Sequence, residues 1–174
     1  MAYENGDLAA AVKFLEPLLA RTTEMTRDDA RIVSVLTGDA FRKLSQFDKA
    51  QRAYLNAKAF APDDREVLER VADVTFDAGE ADEAAELYRD LLKRFESKLE
   101  AADKGRIHFR VGEASRRAKD LDAAITSLGK AADLLPGDHE PLEALGKAYE
   151  DKGAWEEVVR TLKRRVEMAS DDVR

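Results

Sequence analysis

Four stretches of this chain superpose on one another at fixed offsets, and that internal repetition constrains its fold more than any other feature. The fullest frame runs from Gly38 through Phe41, Phe47, Ala50, Tyr54 and Ala57 to Pro62. Adding 74 to each number lands on Gly112, Ser115, Leu121, Ala124, Leu128, Ala131 and Pro136. Adding 34 gives Ala72, Thr75, Ala81, Ala84, Tyr88 and Leu91, and adding 108 gives Gly146, Tyr149, Trp155 and Val158. A period of about 34 residues with small residues at set places marks stacked helix pairs. One pair cannot bury its apolar face alone, so its neighbours cover it.

Helical patterning dominates, and no strand alternation is present. The helices come as antiparallel pairs, a helix A followed by a helix B. Helix B of the first repeat is expected over Leu8–Arg21. The next pairs are expected near Arg27–Leu44 with Phe47–Phe60, and Asp64–Ala78 with Ala81–Glu96. The last two fall near Ala102–Ala118 with Leu121–Leu134, and Asp138–Lys152 with Trp155–Met168. Gly6, Gly79 and Gly153 stand where a helix A stops, the left-handed cap position; Ser45 and Lys119 take that place in the second and fourth repeats. Asp64 and Asp138 follow the Pro62 and Pro136 breaks as candidate N-caps. Pro17 falls inside a helix B and is expected to kink it.

Glycine in mid-helix costs about 1 kcal/mol against alanine, so Gly38, Gly112 and Gly146 imply close approach of another helix. Ala72 holds the equivalent place in the third repeat. The bulky Phe41, Phe47, Tyr54, Tyr88, Leu128, Tyr149 and Trp155 are expected to fill the space around these small residues. The spacing is uneven: repeat starts near Arg31, Arg65, Gly105 and His139 give steps of 34, 40 and 34. The surplus around Phe95–Lys104 extends an apolar stripe, which predicts a lengthened helix B. The first step is also long. Glu167–Arg174 echoes Glu24–Arg31, which leads into a helix A, so a further repeat is expected to begin there.

These residues resemble the tetratricopeptide repeat family over nearly the whole chain. The match rests on Gly38, Phe41, Ala50, Tyr54, Ala57 and Pro62 in the second repeat and on Ala72, Gly79, Ala84 and Tyr88 in the third. Gly112, Ala124, Leu128, Ala131 and Pro136 carry it in the fourth, and Gly146, Tyr149, Gly153 and Trp155 in the fifth. Val158 and Arg165 stand where alanines are usual, so the last helix is expected to pack differently. The resemblance implies an all-α fold, a right-handed α-α superhelix of antiparallel helix pairs. It implies one solenoid over residues 1–174, with repeats at about 1–26 (partial), 31–64, 65–104, 105–138 and 139–173.

Chemistry beyond binding finds little support. The two histidines, His108 and His139, lie far apart in the chain; His139 is expected at the surface, and His108 has no assigned environment. No phosphate-cradling glycine loop is present. The acid pairs Asp28–Asp29, Asp63–Asp64 and Asp171–Asp172 read as caps and first-turn acids that complement helix dipoles. No catalytic residue, metal or cofactor is expected. A net charge of -7 disfavours nucleic acid as a partner. No run approaches the length of a membrane helix, so no membrane insertion is expected. With no cysteine, a cytoplasmic setting is expected.

In the family, helices A line the concave side, which makes their outward charges the candidate peptide groove. Its positions include Val35, Asp39, Arg42 and Lys43, then Glu66, Glu69, Arg70 and Asp73 with Phe76 and Asp77. Arg106, Phe109, Arg110, Glu113, Arg116 and Arg117 follow, then Glu140, Glu143, Lys147, Glu150 and Asp151. The resemblance therefore implies a scaffold that binds a peptide or partner segment, with an acidic segment near the fourth repeat. Arg106, Arg110 and Arg117 with Phe109 suit an acidic or phosphorylated group. The alternative is that Glu69, Asp73 and Glu113 neutralise them. The family's carboxylate clamp is not expected, because Val35, Asp39, Arg70, Arg106 and Arg110 stand at its places and Asp39 repels a carboxylate. A second functional reading is a self-associating array, or a regulatory module of a larger protein. The self-association rests on an apolar stripe at Val158, Val159, Leu162 and Val166.

Overall fold

The computed structural model describes residues 7–171, and among them every regular element is helical. The order is α1 (Leu8–Leu19), α2 (Arg27–Lys43), α3 (Phe47–Phe60), α4 (Arg65–Asp77) and α5 (Ala81–Phe95). Then come α6 (Ala101–Arg117), α7 (Leu121–Leu134), α8 (Glu140–Lys152) and α9 (Trp155–Asp171). Short 3-10 turns at Thr22–Glu24 and Glu96–Lys98 precede α2 and α6. The chain divides into two compact units, α1–α4 up to Glu80 and α5–α9 from Ala81.

One local chemistry ends every helix A among the described residues. Ser45 (φ 56°), Gly79 (φ 91°), Lys119 (φ 67°) and Gly153 (φ 75°) all adopt the left-handed conformation. In each case the next residue's N–H reaches back over the last turn of the helix, as in a Schellman cap. Gln46 donates to the Phe41 carbonyl, Glu80 to Thr75, Asp120 to Ser115 and Ala154 to Tyr149, at 2.9–3.1 Å. Serine and lysine therefore hold a geometry that glycine adopts without penalty. Gly6 lies outside the described residues. At the starts, Asp64 accepts from the Glu66 and Val67 amides, and Asp138 from the Glu140 amide. Thr26, Asp7 and Asp120 cap α2, α1 and α7 in the same way. Pro17 sits in the final turn of α1, which stops soon after at Leu19.

The long steps resolve differently from the expected lengthened helix B. α5 ends at Phe95, only one residue longer than α3 or α7. The surplus goes into the Glu96–Lys98 turn and an extra turn at the head of α6, which has 17 residues where α4 and α8 have 13. Phe95 and Leu99 are both buried, and they pin the connection against the core. The first step has the same design, a 3-10 turn followed by the 17-residue α2. The segment echoing Glu24–Asp28 continues α9 as helix to Asp171, where the first copy is a turn and an N-cap.

Small against large is how each unit closes. In the first unit Ala40, Ala50, Ala53 and Ala57 have no exposed surface, and neither does the Tyr54 ring packed among them. A methyl group added at Gly38 would run into that ring. In the second unit, Gly112 stands equally close to the buried Leu128. Gly105 lies against Leu134 and Leu135, at the far end of the same helix pair. The fifth pair departs, as Val158 and Arg165 predict. The nearest neighbour of a methyl at Gly146 would be the Thr161 methyl at 3.9 Å. A cleft of about 250 Å³ opens between α8 and α9 beside Gly146, Val158 and Thr161. Trp155 does not join the core as expected: it is 66% exposed.

A polar network braces the first unit from inside. The Asn56 amide donates to Ser34 Oγ at 2.9 Å and to Thr22 Oγ1 at 3.1 Å, tying α3 to α2 and to the preceding turn. Ser34 in turn donates to the Ala30 carbonyl at 2.6 Å and Thr22 to the Leu19 carbonyl at 3.1 Å. Each of these buried hydroxyls is thereby satisfied.

Candidate interaction surface

In the first unit the predicted groove residues meet, but they spend their charge on one another. Arg42 of α2 donates to Asp77 at 2.6 Å and to Asp73 at 3.1 Å, both on α4. Arg70 of α4 donates to Asp39 of α2 at 3.1 Å, and Asp39 also accepts the Tyr54 hydroxyl at 2.6 Å. Glu66 takes the other side of Arg70 at 2.8 Å, and Glu69 pairs with Arg65. Burial opposes the Arg42 and Arg70 charges, yet the carboxylates around them outweigh it and hold both guanidinium groups above their ordinary pKa. Burial, then the bond to Asp39, pushes the Tyr54 hydroxyl far up, so it stays a donor. Phe76, expected to face the groove, is instead buried in the unit's core.

The second unit repeats one of these bridges and omits the rest. Arg116 of α6 reaches Asp151 of α8 at 3.1 Å, which is the Arg42–Asp77 pair carried into the fourth and fifth repeats. Arg116 also holds Glu113. Tyr54 has become Leu128, so no hydroxyl engages the acid on the helix A. The repeat register sets these two bridges at equivalent positions, and reading each residue singly as a groove charge hides that equivalence.

On the α6–α8 face, Phe109 packs half-buried against the cluster of Leu128, Leu142, Leu145 and Ala148. With Ala144 it floors a cleft of about 310 Å³ rimmed by Glu113, Glu140, Glu143 and Lys147. Lys147 bonds Glu143 at 2.7 Å, and Arg165 of α9 approaches the same carboxylate at 3.7 Å. The Lys147 hydrogen bond, then the two positive charges, hold Glu143 below the usual carboxylate range. Arg106 pairs with Asp103 on its own helix. Arg110 is exposed and makes no ion pair among the described residues. Arg117 is exposed in the last turn of α6. Of the acids expected to neutralise these arginines, Glu113 pairs with Arg116, while in the first unit Asp73 bonds Arg42 and Glu69 pairs with Arg65.

Neither histidine sits in a reactive cluster, and no group of three or more potential metal ligands exists among the described residues. His139 opens α8 and is half-buried, not fully exposed. His108 occupies the place that Ser34 holds in the first unit, and Lys130 the place of Asn56. The bracing network is therefore replaced by an imidazole whose Nδ1 is buried without a hydrogen bond. Burial first, then the Lys130 charge, pushes this imidazole below its ordinary value of 6.5. The unfolded chain then binds this proton more readily than the folded one, so the stability it contributes is complete above pH 6.5 and declines as pH falls below it. Thermal melts should show the native chain losing more stability than His108→Ser between pH 7 and pH 5. Parallel losses in the two chains would sink this assignment.

Comparison with known proteins agrees with this geometry. One tetratricopeptide repeat model matches residues 35–98 and again 70–139, and a second such model matches 142–172. The chain belongs to the tetratricopeptide repeat family. Members are typically interaction scaffolds without catalytic activity, and this chain has the scaffold's all-α helical-repeat fold. MamA 41-end from Desulfovibrio magneticus RS-1 superposes with a TM-score of 0.81 at 15% identity, over 98% of this chain and 90% of that one. A putative kinesin light chain from Podosopora anserina with nearly identical TPR-like repeats gives 0.81 at 16% identity, over 99% and 92%. MamA AMB-1 gives 0.70 at 23% identity, over 96% and 92%. At these identities the likeness is one of fold. No curated protein sequence matches the chain significantly. No helix among the described residues is long and apolar enough to cross a membrane.

Proposed function

We propose that this chain is a protein-interaction scaffold that holds a peptide or partner segment on the α6–α8 face. The observation that carries the reading is the aromatic-floored cleft at Phe109 with the uncompensated Arg110 guanidinium on the same helix. An apolar side chain of the partner enters beside Phe109 and Ala144, and a carboxylate or phosphate meets Arg110, with Arg106 released from Asp103 to join it. Arg70 of the first unit, which holds the same repeat position as Arg110, is already neutralised by Asp39 and Glu66, which supports placing the acidic contact at α6. Glu113, Glu140 and Glu143 along the rim disfavour a uniformly acidic partner, so the segment carries its acid beside a bulky apolar residue.

A displayed peptide library selected on the native chain tests this directly. The enriched peptides should carry an acidic residue next to a large apolar one. Arg110→Glu should weaken them about ten- to a hundredfold, as expected for loss of a charged hydrogen bond and its replacement by repulsion. Equal binding to native and Arg110→Glu chains would remove this face from consideration.

A further inference from the structure

The last helix has two faces of opposite character. Its inner face is fastened to the second unit: Val158 and Thr161 are buried, Arg164 bonds Asp133 at 3.0 Å, and Arg165 reaches Glu143. Its outer face is bare and apolar. Trp155, Val159, Leu162 and Val166 are 66%, 52%, 48% and 69% exposed. Val158, expected in this stripe from the sequence, turns inward, and Trp155 takes its place. The corresponding face of α7, the preceding helix B, is covered: Leu128, Ala132 and Ile125 pack with Leu142, Leu145 and Ala148 of α8.

The bare face is complementary to itself. Its residues are spaced four, three and four apart, which is the seam of a coiled coil. They are also symmetric about the point between Arg160 and Thr161. An antiparallel copy therefore sets Trp155 against Val166 and Val159 against Leu162, bulky opposite small, in both directions at once. Glu156 and Lys163 flank the seam on its open side, both exposed and neither in an ion pair among the described residues. The antiparallel arrangement brings each Glu156 beside the other copy's Lys163, whereas a parallel one keeps the two apart. We propose that two copies of this chain pair through α9, antiparallel about a two-fold axis. Such an isologous contact closes on itself and stops at the dimer.

Sedimentation of the full chain from micromolar to near-millimolar concentration tests the pairing, with the emission of its single tryptophan, Trp155, as an independent readout. A monomer–dimer transition with a concentration-dependent blue shift is expected. Leu162→Glu, on the solvent side of a folded helix, should raise the dissociation constant at least about a hundredfold by burying charge in the seam. Glu156→Lys and Lys163→Glu should each raise it roughly three- to tenfold, and an equimolar mixture of the two should associate more tightly than either alone. Circular dichroism verifies that each variant remains folded. A strict monomer, or an assembly indifferent to both charge reversals and to Leu162→Glu, would overturn the proposal. A monomer whose Trp155 emission shifts only on addition of a peptide with the Glu140–Lys152 sequence would also overturn it, assigning the face to a separate helix instead.

Discussion

Truncating Tyr54 to alanine should destabilise the first unit by about 3–5 kcal/mol, the cost typical of removing a fully buried aromatic side chain. The ring has no exposed surface and lies where Gly38 leaves room for it, so nothing nearby can close the cavity. Its hydroxyl adds a second element. It donates to Asp39 at 2.6 Å, and Asp39 also holds Arg70 of the neighbouring helix A. The ring thus anchors the helix pair, and its hydroxyl joins that pair to α4. Tyr54→Phe separates the two roles, keeping the wedge and losing about 1 kcal/mol with the hydrogen bond. Urea denaturation followed by circular dichroism measures both. Alanine and phenylalanine variants of equal stability would show that the wedge is not what closes this unit.

The second large effect is a contrast between two glycines that look alike in the sequence. Gly112→Val should cost about 3 kcal/mol, because its new side chain would enter the space of the buried Leu128 and α6 cannot retreat without opening the core. Gly146→Ala should have the opposite sign and stabilise the protein by up to about 1 kcal/mol. Its methyl meets only Thr161 at 3.9 Å, so the helix-propensity gain is kept. A double substitution, Gly112→Val with Leu128→Ala, should cost less than the sum of its parts, since each change occupies or vacates the same space. Additive losses would mean that the strain at Gly112 is relieved elsewhere. A destabilised Gly146→Ala chain would mean that α8 and α9 approach more closely than their cleft indicates.

The helices and their stops are largely legible because they depend on local chemistry. Phe47–Phe60 and Leu121–Leu134 begin and end where apolar spacing and the following proline place them. Ser45 and Lys119 are identifiable as left-handed caps only because repetition sets them in register with Gly79 and Gly153. The insertion around Phe95 is not legible, because a continuing apolar stripe does not separate a longer helix from a tight turn with buried anchors. Phe95 and Leu99 serve the latter. The groove charges can be located on the right helices, but their partnerships cannot. An arginine's reach across to the next helix A depends on interhelix distance, and one-dimensional spacing does not contain it. Asp77 and Asp151 show the cost of reading such charges singly, for each belongs to a bridge and not to an open surface.

From its residues alone, this chain is a stack of helix pairs with defined turns and defined small positions. Those properties follow from backbone preference and apolar period, both of which act within a few residues. What each repeated position does is settled by packing between the helices. Gly38 and Gly112 admit a ring and a leucine, while Gly146 borders a cleft, because Val158 and the exposed Trp155 change how α9 seats on α8. Arg70 is neutralised and Arg110, at the same repeat position, is not, because Asp39 and Glu66 reach the first and no acid among the described residues pairs with the second. Repetition sets the positions; the distances between helices, which depend on every side chain at the contact, select which charges and apolar faces remain for a partner.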